Sequence, residues 1–182
     1  MDAFLSILIL GSFWNSSLCS MTTIFESPLG FVRVTGDDQG VSVISCTDVL
    51  ADTNQTDTHL PTPVEQAVDQ LKAYFAGERH TFDFPLNPIG TAFQQAVWRA
   101  LLEVPFGTTL SYLTLSRRIG DEKAIRAVAA ANGRNPLWIV VPCHRIIGSD
   151  GSLTGYAGGL WRKKWLLEHE GAFARSGQLS LF

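Results

Sequence analysis

The spacing of apolar residues divides the chain into a β-rich first part and a helical second part. Short runs rich in β-branched residues at 22–26, 31–35 and 41–47 are separated by turn sequences, and they predict a small antiparallel sheet. Apolar residues then recur with a helical period over residues 64–76, where a glycine ends the pattern. Residues 81–89 contain two prolines and predict a strand edge that leads into an interdomain linker. The first part is therefore predicted to be an α/β unit.

Helical patterns dominate the second part. Residues 91–104 and 160–169 each predict a helix with an apolar face. Between them, a short helix at 111–119, a turn at Gly120 and a second helix at 122–132 form a helix-turn-helix pattern. The second of these helices carries mostly small side chains, so its backbone could approach another molecule closely or pack closely inside the protein. The pattern alone leaves both alternatives open.

The densest group of reactive side chains lies at residues 139–148, where an apolar run meets Cys143, His144 and Arg145. Pro142 restricts the residue before it to extended geometry, which predicts a rigid strand that carries the thiol. A thiolate is a strong nucleophile, but it needs a neighbouring base or cation to form at neutral pH. The alternative is a buried, inert cysteine, which is a common state of free cysteines.

Charge is distributed unevenly along the 182 residues. The net charge is −3, but residues 1–88 hold 11 acidic and 3 basic side chains, whereas residues 89–182 hold 6 acidic and 11 basic ones. A basic half joined to an acidic half indicates two domains, of which the basic one faces a polyanion. Scattered, solvated charge is the alternative explanation.

The cysteines and histidines argue against two classes of site. Three cysteines without a CxxC pair do not form a disulfide framework or a cysteine-rich zinc site, and they favour a reducing compartment. The four histidines lack metal-ligand spacing. Residues 154–159 are rich in glycine but lack the patterns that cradle phosphate. We therefore expect neither a metal nor another cofactor.

The chain begins with a short apolar stretch that is too short to span a bilayer as a helix. It is expected to be a non-structural leader from an upstream start, since Met21 opens a stretch typical of a protein start; a secretory signal is the alternative. The predicted organisation is a leader at 1–20, an N-terminal α/β domain at 21–88, a C-terminal domain at 89–172 and a tail at 173–182.

Six motifs in order make the chain similar to a known family. Together they resemble the O6-alkylguanine-DNA alkyltransferases, or methylated-DNA–protein-cysteine methyltransferases, of the bacterial non-adaptive type. The resemblance covers about residues 22–171 and is strongest over 91–171. The motifs are Ser111-Tyr112, Arg126-Ala127-Val128, Asn132-Gly133-Arg134-Asn135-Pro136, Val141-Pro142-Cys143-His144-Arg145-Ile146-Ile147-Gly148, Gly155-Tyr156-Ala157-Gly158-Gly159, and Trp165-Leu166-Leu167-Glu168-His169-Glu170-Gly171.

This resemblance implies a fold and a function. The expected fold is an α/β N-terminal domain on a small, ribonuclease-H-like antiparallel sheet, followed by a mostly helical, winged-helix-like domain with a helix-turn-helix. The expected function is DNA repair by direct, irreversible and stoichiometric transfer of the alkyl group from O6-alkylguanine, and from O4-alkylthymine, after base flipping. The expected partner is double-stranded DNA that carries the lesion. The protein is expected to be a cytoplasmic monomer without a membrane association.

The resemblance also implies catalytic roles. Cys143 would accept the alkyl group, His144 would act as a base through a water molecule, and Glu170 would orient His144. Asn135 would tie the recognition helix to the active-site turn. Tyr112 would crowd the target phosphate and donate a hydrogen bond to the departing guanine.

On the DNA side, the resemblance implies that Arg126 enters the duplex where the flipped base was. The small residues Ala127, Ala129 and Ala130 would let the helix approach the backbone in the minor groove, where Tyr112 also contacts DNA. The loop that closes over the alkyl group is expected to comprise Tyr156, Ala157 and Gly158. Some relatives carry serine at the position of Ala157, so a hydroxyl contact is absent here.

Two other functions remain as alternatives. The first is a binder of DNA lesions without catalysis, although such relatives lack the cysteine that this chain has. The second is a thiol hydrolase with Cys143, His144 and Glu170 as a triad. Hydrolases of that kind require an oxyanion hole, and a basic helix-turn-helix would stay unexplained.

Overall fold

A computed structural model describes residues 20–49 and 59–173 of the chain. The predicted leader lies outside these ranges except for Ser20, and the predicted tail lies outside them except for Phe173. Within the described ranges the chain forms five strands and five α-helices. Three strands come first and the helices follow, in the order that the apolar pattern predicts, with two further short strands among the helices.

Three strands form an antiparallel sheet in sequence order: β1 (Met21–Ser27), β2 (Gly30–Asp37) and β3 (Gly40–Thr47). Val32 and Val34 on β2 and Ile44 on β3 are fully buried, and their alternation with more exposed residues places one face of the sheet against the core. The predicted antiparallel sheet is confirmed.

Helix α1 (Thr62–Phe75) covers the buried face of this sheet. Its fully buried residues Val64, Ala67, Leu71 and Tyr74 recur at intervals of three and four, so they form a single apolar stripe. The helix starts two residues before the predicted residue 64, because a proline in the first turn suits a helix start.

The free edge of β3 joins the sheet to the rest of the protein. Val41 bonds to the linker through Pro85 O and Asn87 N at 2.9 and 2.8 Å, as the predicted strand edge at 81–89 requires. Further along the same strand, Ile44 N donates to Pro136 O at 2.8 Å and Trp138 N donates to Ile44 O at 3.0 Å. The segment before Cys143 is therefore hydrogen-bonded directly to the N-terminal sheet.

The C-terminal part is built on helices that pack around α2 (Ala92–Leu102). Thr91 caps this helix through a capping box with Gln94. The indole of Trp98 is buried in the helix interface, and its Nε1 donates to Ala131 O at 3.0 Å. This bond fixes α2 against the second helix of the helix-turn-helix pair.

The helix-turn-helix pattern is present as α3 (Tyr112–Ile119) and α4 (Ile125–Gly133). Gly120 ends α3 with a φ of 94°, a left-handed conformation that favours glycine. The predicted second helix at 122–132 begins with a 3₁₀ turn at Glu122–Ala124, which Asp121 caps. Only the part from Ile125 onward is α-helical.

The predicted cysteine strand is wrong. Val140 N donates to Trp138 O, Val141 N to Leu137 O and Cys143 N to Val141 O, so the segment folds into successive tight turns. Ile139 has a φ of 73°, which is rare for a β-branched residue. The β-branched residues 139–141, which predicted a strand, all lie in the core. Their apolar side chains therefore reflect burial and not strand geometry.

A pair of short strands and a last helix complete the fold. Strand β4 (Leu110–Ser111) pairs in parallel with β5 (Ile146–Ile147), directly after the cysteine turn. Helix α5 (Leu160–His169) has the predicted bounds. No helix of the described ranges is long and apolar enough to cross a membrane.

Candidate active site and DNA-facing surface

Cys143 lies in a 3₁₀ turn at Cys143–Arg145 and is 4% exposed. The amide Nδ2 of Asn135 lies 3.1 Å from its Sγ and 2.7 Å from Val141 O. The Oδ1 of the same amide accepts a hydrogen bond from Leu137 N at 3.0 Å. Asn135 therefore fixes the turn and the thiol at once, since one amide bonds to the backbone at Leu137 and Val141 and to the sulfur.

Asn132 forms the direct link from α4 to this turn. Its Nδ2 lies 3.5 Å from Cys143 O and 3.5 Å from the hydroxyl of Tyr112. Asn132 is 3% exposed and sits in the last turn of α4. These contacts join the cysteine turn to the helix that carries Arg126.

The carboxylate of Glu170 is the centre of a buried network. Its Oε1 lies 2.8 Å from Nε2 of His144 and 3.0 Å from Nη2 of Arg145, and its Oε2 lies 2.8 Å from Nε of Arg145. The backbone N–H of Gly107 and the hydroxyl of Tyr74 complete the set, at 3.3 and 2.8 Å. The Arg145 guanidinium thus contacts both oxygens, the strong fork geometry of an arginine–carboxylate pair.

This network determines which nitrogen of His144 carries a proton. Burial alone would raise the pKa of Glu170, but the hydrogen bonds from His144 and Arg145 and the charge of Arg145 outweigh it and hold that pKa well below its usual range. An ionised carboxylate only accepts hydrogen bonds, so Nε2 of His144 must donate to it. The buried Nδ1 of His144 has no hydrogen-bond partner among the described residues and is the basic nitrogen of the ring.

The thiol and the imidazole are both neutral at rest. Burial raises the pKa of Cys143, against the lowering effects of the Asn135 hydrogen bond and the Lys163 charge. Burial also lowers the pKa of His144, against the opposing effect of Glu170. A thiol that keeps its proton beside a neutral imidazole requires proton transfer before it can attack.

Lys163 is fully buried beneath the site. Its Nζ donates to Ile146 O at 2.6 Å and to Thr154 O at 2.8 Å, so it joins the strand after the cysteine turn to the glycine-rich loop. Burial lowers the pKa of Lys163 to about 8, against the raising effect of Cys143. The residue therefore supplies a mostly cationic group close to the reactive sulfur at neutral pH.

A cavity of about 470 Å³ opens beside this network. Helix α4 contributes Arg126 and Ala129 to its wall, α3 contributes Tyr112, and the glycine-rich loop contributes Tyr156 and Ala157. Burial raises the pKa of Tyr112, so its hydroxyl keeps its proton and can donate it. The fold thus brings together residues of three separate motifs.

The remaining predicted positions, Ala127, Ala130 and Gly158, do not line this cavity. Arg126, Ala127 and Ala130 are exposed on α4, and Ala129 is half-buried. Gly158 is buried against Trp138, where an added Cβ would come within 2.5 Å of the indole ring. Gly158 therefore shapes the loop through a close approach that no side chain permits.

Part of the basic charge predicted to face a polyanion is buried instead. Arg145 and Arg162 are each 6% exposed and Lys163 is fully buried, so three of the basic side chains of residues 89–182 serve internal contacts. Arg145 was also a candidate cation for Cys143, but it pairs with Glu170. The exposed basic residues of the helix-turn-helix region remain: Arg117, Arg118, Lys123, Arg126 and Arg134.

Sequence reasoning assigned no role to Tyr74, Asn132 or Lys163. Lys163 did leave a signal, because it lies on one helical stripe with Leu166, Leu167 and Glu170, all of them buried. A lysine on the apolar stripe of a helix is seldom buried without a specific reason. Tyr74 left no comparable signal, since an aromatic residue on an apolar stripe is ordinary core. Among the described residues, no group of histidine, cysteine or acidic side chains could hold a metal ion.

Two family models match most of the chain. The model described as "6-O-methylguanine DNA methyltransferase, ribonuclease-like domain" matches residues 21–88. The model described as "6-O-methylguanine DNA methyltransferase, DNA binding domain" matches residues 92–172.

Curated proteins and solved structures agree with these models. A methylated-DNA–protein-cysteine methyltransferase of Methanosarcina acetivorans is 46% identical over 151 residues, which cover 82% of this chain and 97% of that protein. The crystal structure of the Mycobacterium tuberculosis O6-methylguanine methyltransferase matches with 43% identity and a TM-score of 0.74, over 87% of this chain and 96% of that one. The M. tuberculosis OGT in complex with DNA matches with 46% identity and a TM-score of 0.73, over 82% of this chain and 91% of that one.

Proposed function

The chain belongs to the methylated-DNA–protein-cysteine methyltransferases, which repair DNA by alkyl transfer to a cysteine, and we propose that its acceptor is Cys143. The substrate is O6-alkylguanine in double-stranded DNA. The observation that carries the proposal is the buried turn in which Asn135 contacts the Cys143 sulfur while Glu170 leaves Nδ1 of His144 as the basic nitrogen.

The reaction is a displacement at the alkyl carbon. The Cys143 proton passes through a water molecule to Nδ1 of His144, the S–C bond forms, and the bond between the carbon and guanine O6 breaks. Glu170 stabilises the imidazolium that results, because its carboxylate stays ionised and bonds to Nε2. The hydroxyl of Tyr112 donates to the departing guanine, which makes that base a better leaving group.

Access to the buried thiol requires the target base to leave the duplex. Flipping costs a few kcal/mol, and less for a damaged pair. Arg126 is exposed on α4 at the wall of the cavity, so it can fill the vacated position in the stack. The exposed methyl groups of Ala127 and Ala130 keep this face of α4 thin enough to enter the minor groove, with Ala129 beside them. Tyr156, Ala157 and Gly158 enclose the alkyl group.

The transfer is irreversible and occurs once per molecule. Water cannot remove the alkyl group from the thioether, because the cysteine thiolate is a poor leaving group. The alkylated sulfur also lies against Asn135, and overpacking of a filled site costs about 1–3 kcal/mol. The alkylated protein should therefore be less stable and should release DNA.

O4-alkylthymine is the second proposed substrate, since it presents the same kind of alkyl carbon on an exocyclic oxygen.

We further propose that the protein works as a cytoplasmic monomer. The ribonuclease-H-like character of the sheet and the winged-helix-like character of the C-terminal part are also proposals. They rest on the three-stranded antiparallel sheet and on the β4–β5 pair beside the helix-turn-helix.

Intact-mass measurement tests the proposal most directly. The protein is mixed with excess duplex oligonucleotide that carries O6-methylguanine, and we expect one methyl group per active molecule, located on the peptide that contains Cys143. A parallel reaction with O4-methylthymine tests the second substrate. Unchanged mass with tight binding would favour a lesion binder, and sustained turnover with excess DNA would overturn single use. Ester cleavage without methyl transfer would favour the thiol hydrolase.

A further inference from the structure

Tyr74 places an N-terminal side chain inside the reactive network. It lies on α1 and is fully buried, and its hydroxyl donates to Oε1 of Glu170 at 2.8 Å across 96 residues of sequence. The proposed reaction uses Cys143, His144 and Glu170 from the C-terminal part alone. Tyr74 is therefore an additional group that reaches this network from the other half of the protein.

The hydroxyl is held in place by the packing of its ring. Phe75, Phe82 and Phe106 surround the ring, with centroid distances of 5.6, 5.6 and 6.3 Å. The ring of His169 lies 5.0 Å away, and its Nε2 bonds to the Tyr74 carbonyl at 2.7 Å. A side chain packed on several sides cannot turn its hydroxyl away without opening the core.

Three donors converge on the same carboxylate oxygen. Oε1 of Glu170 lies within 3.0 Å of Nε2 of His144, Nη2 of Arg145 and the hydroxyl of Tyr74. Each donor draws electron density from that oxygen, so each weakens the hydrogen bonds that the oxygen accepts from the other two. The donor strength of Tyr74 therefore affects the hydrogen bond that stabilises protonated His144.

We propose that Tyr74 is a positioning residue through which the N-terminal half sets the basicity of His144. This inference rests on the proposed function, in which His144 accepts the thiol proton. The hydrogen bond from the Tyr74 hydroxyl reduces the stabilisation that Glu170 gives to protonated His144. His144 therefore stays neutral under mildly acidic conditions and can accept a proton. Without the hydroxyl, Glu170 would stabilise the imidazolium more strongly.

The groups that also act on this network must be considered in any pH experiment. Burial keeps the Tyr74 hydroxyl protonated by raising its pKa well above the ordinary value. Arg145 holds its charge next to Glu170, and Lys163 lies close enough to lower the pKa of His144. The titratable or charged groups that face the network are Cys143, His144, Arg145, Glu170, Lys163, Tyr156 and His169.

Tyr74→Phe removes the hydroxyl and leaves the ring. We expect the single-turnover rate to fall about three- to fivefold below pH 6.5, the ordinary pKa of a histidine, and to stay unchanged near pH 8, because one hydrogen bond to a charged acceptor is lost. Phe82→Leu is the matched control, since it loosens the same ring cluster without touching Glu170. It should change the rate by the same factor at every pH.

An NMR titration of the histidine rings tests the inference without any transfer reaction. The His144 midpoint should move to higher pH in Tyr74→Phe than in the wild-type protein. A His144 midpoint unchanged by Tyr74→Phe would overturn the inference and leave the proposed function standing. A shifted midpoint in a protein that cannot methylate Cys143 would instead count against the proposed function.

Discussion

The Glu170 network and the outer face of α4 are organised in opposite ways. Glu170 is 4% exposed and is contacted by Tyr74, Gly107, His144 and Arg145, so its surroundings are complete within the chain. The face of α4 presents an exposed Arg126 among small side chains. The first region is fixed by internal partners, whereas the second is the surface that we propose meets DNA.

This difference separates the consequences of substitution. A change in the buried network should alter stability and chemistry together, because the same hydrogen bonds serve both. A change on the face of α4 should alter the use of DNA and leave stability untouched. The predictions below test this separation, from the largest expected effect to the smallest.

Cys143→Ala should abolish alkyl transfer and leave binding of damaged DNA intact. The substitution removes the nucleophile, while the turn keeps the Asn135 bond to Val141 O at 2.7 Å. Intact mass measures the transfer, and fluorescence anisotropy with a methylated duplex measures the binding. Any residual methylation of the variant would show that a residue other than Cys143 accepts the alkyl group.

Glu170→Gln should destabilise the protein by about 3–5 kcal/mol, because it leaves the buried Arg145 charge without its partner. Transfer should also fall strongly, since the amide stabilises the His144 imidazolium less well. Urea unfolding at neutral pH measures the free-energy loss. Glu168→Gln is the matched control: Glu168 is half-exposed and lies 3.8 Å from Lys164, so its loss should cost only about 0–1 kcal/mol.

The stability advantage of Glu170 should depend on pH. Its pKa is held well below the ordinary 4.5 in the folded protein, so its contribution is complete above about pH 4.5 and is lost as the pH falls below that value. The difference in unfolding free energy between the wild-type protein and Glu170→Gln should therefore start to narrow below about pH 4.5. If the difference in unfolding free energy stays constant down to pH 3, the charge of the Glu170 carboxylate is not what stabilises the wild-type protein.

Arg126→Ala should reduce repair in duplex DNA by about tenfold or more, because the side chain offsets part of a flipping cost of a few kcal/mol. Reaction with free O6-methylguanine base should change little, and so should the unfolding free energy. Single-turnover rates on both substrates make the comparison. Lys123→Ala is the control, since it should weaken only a salt-dependent phosphate contact. Equal losses on both substrates would mean that Arg126 supports the fold or the reactive thiol instead of base flipping.

Removal of residues 1–20 should have the smallest effect. Strand β1 begins at Met21, and the family match also begins at residue 21. A chain that starts at Met21 should keep its unfolding free energy and its transfer rate. A clear loss in either measurement would show that the first 20 residues contribute to the fold.

Several elements could be predicted because their signals are local. The three strands, the Thr91 cap and the bounds of α5 follow from alternation, capping chemistry and helical period. The cysteine strand could not be predicted correctly, because the β-branched run of residues 139–141 is compatible with any buried backbone. The Asn135 side chain and the bridge to Ile44 decided its conformation.

The sequence by itself determined the order of elements and the motifs that make the chain similar to its family. It also placed Cys143, His144 and Arg145 next to one another, but it predicted a strand where the structure has a turn. Only the tertiary structure decided that Arg145 pairs with Glu170, that Lys163 is buried beside the thiol, and that Tyr74 reaches the carboxylate. The physical reason is distance along the chain: a helical period or a cap acts over a few residues, whereas a hydrogen bond across 96 residues exists only after both halves have packed together.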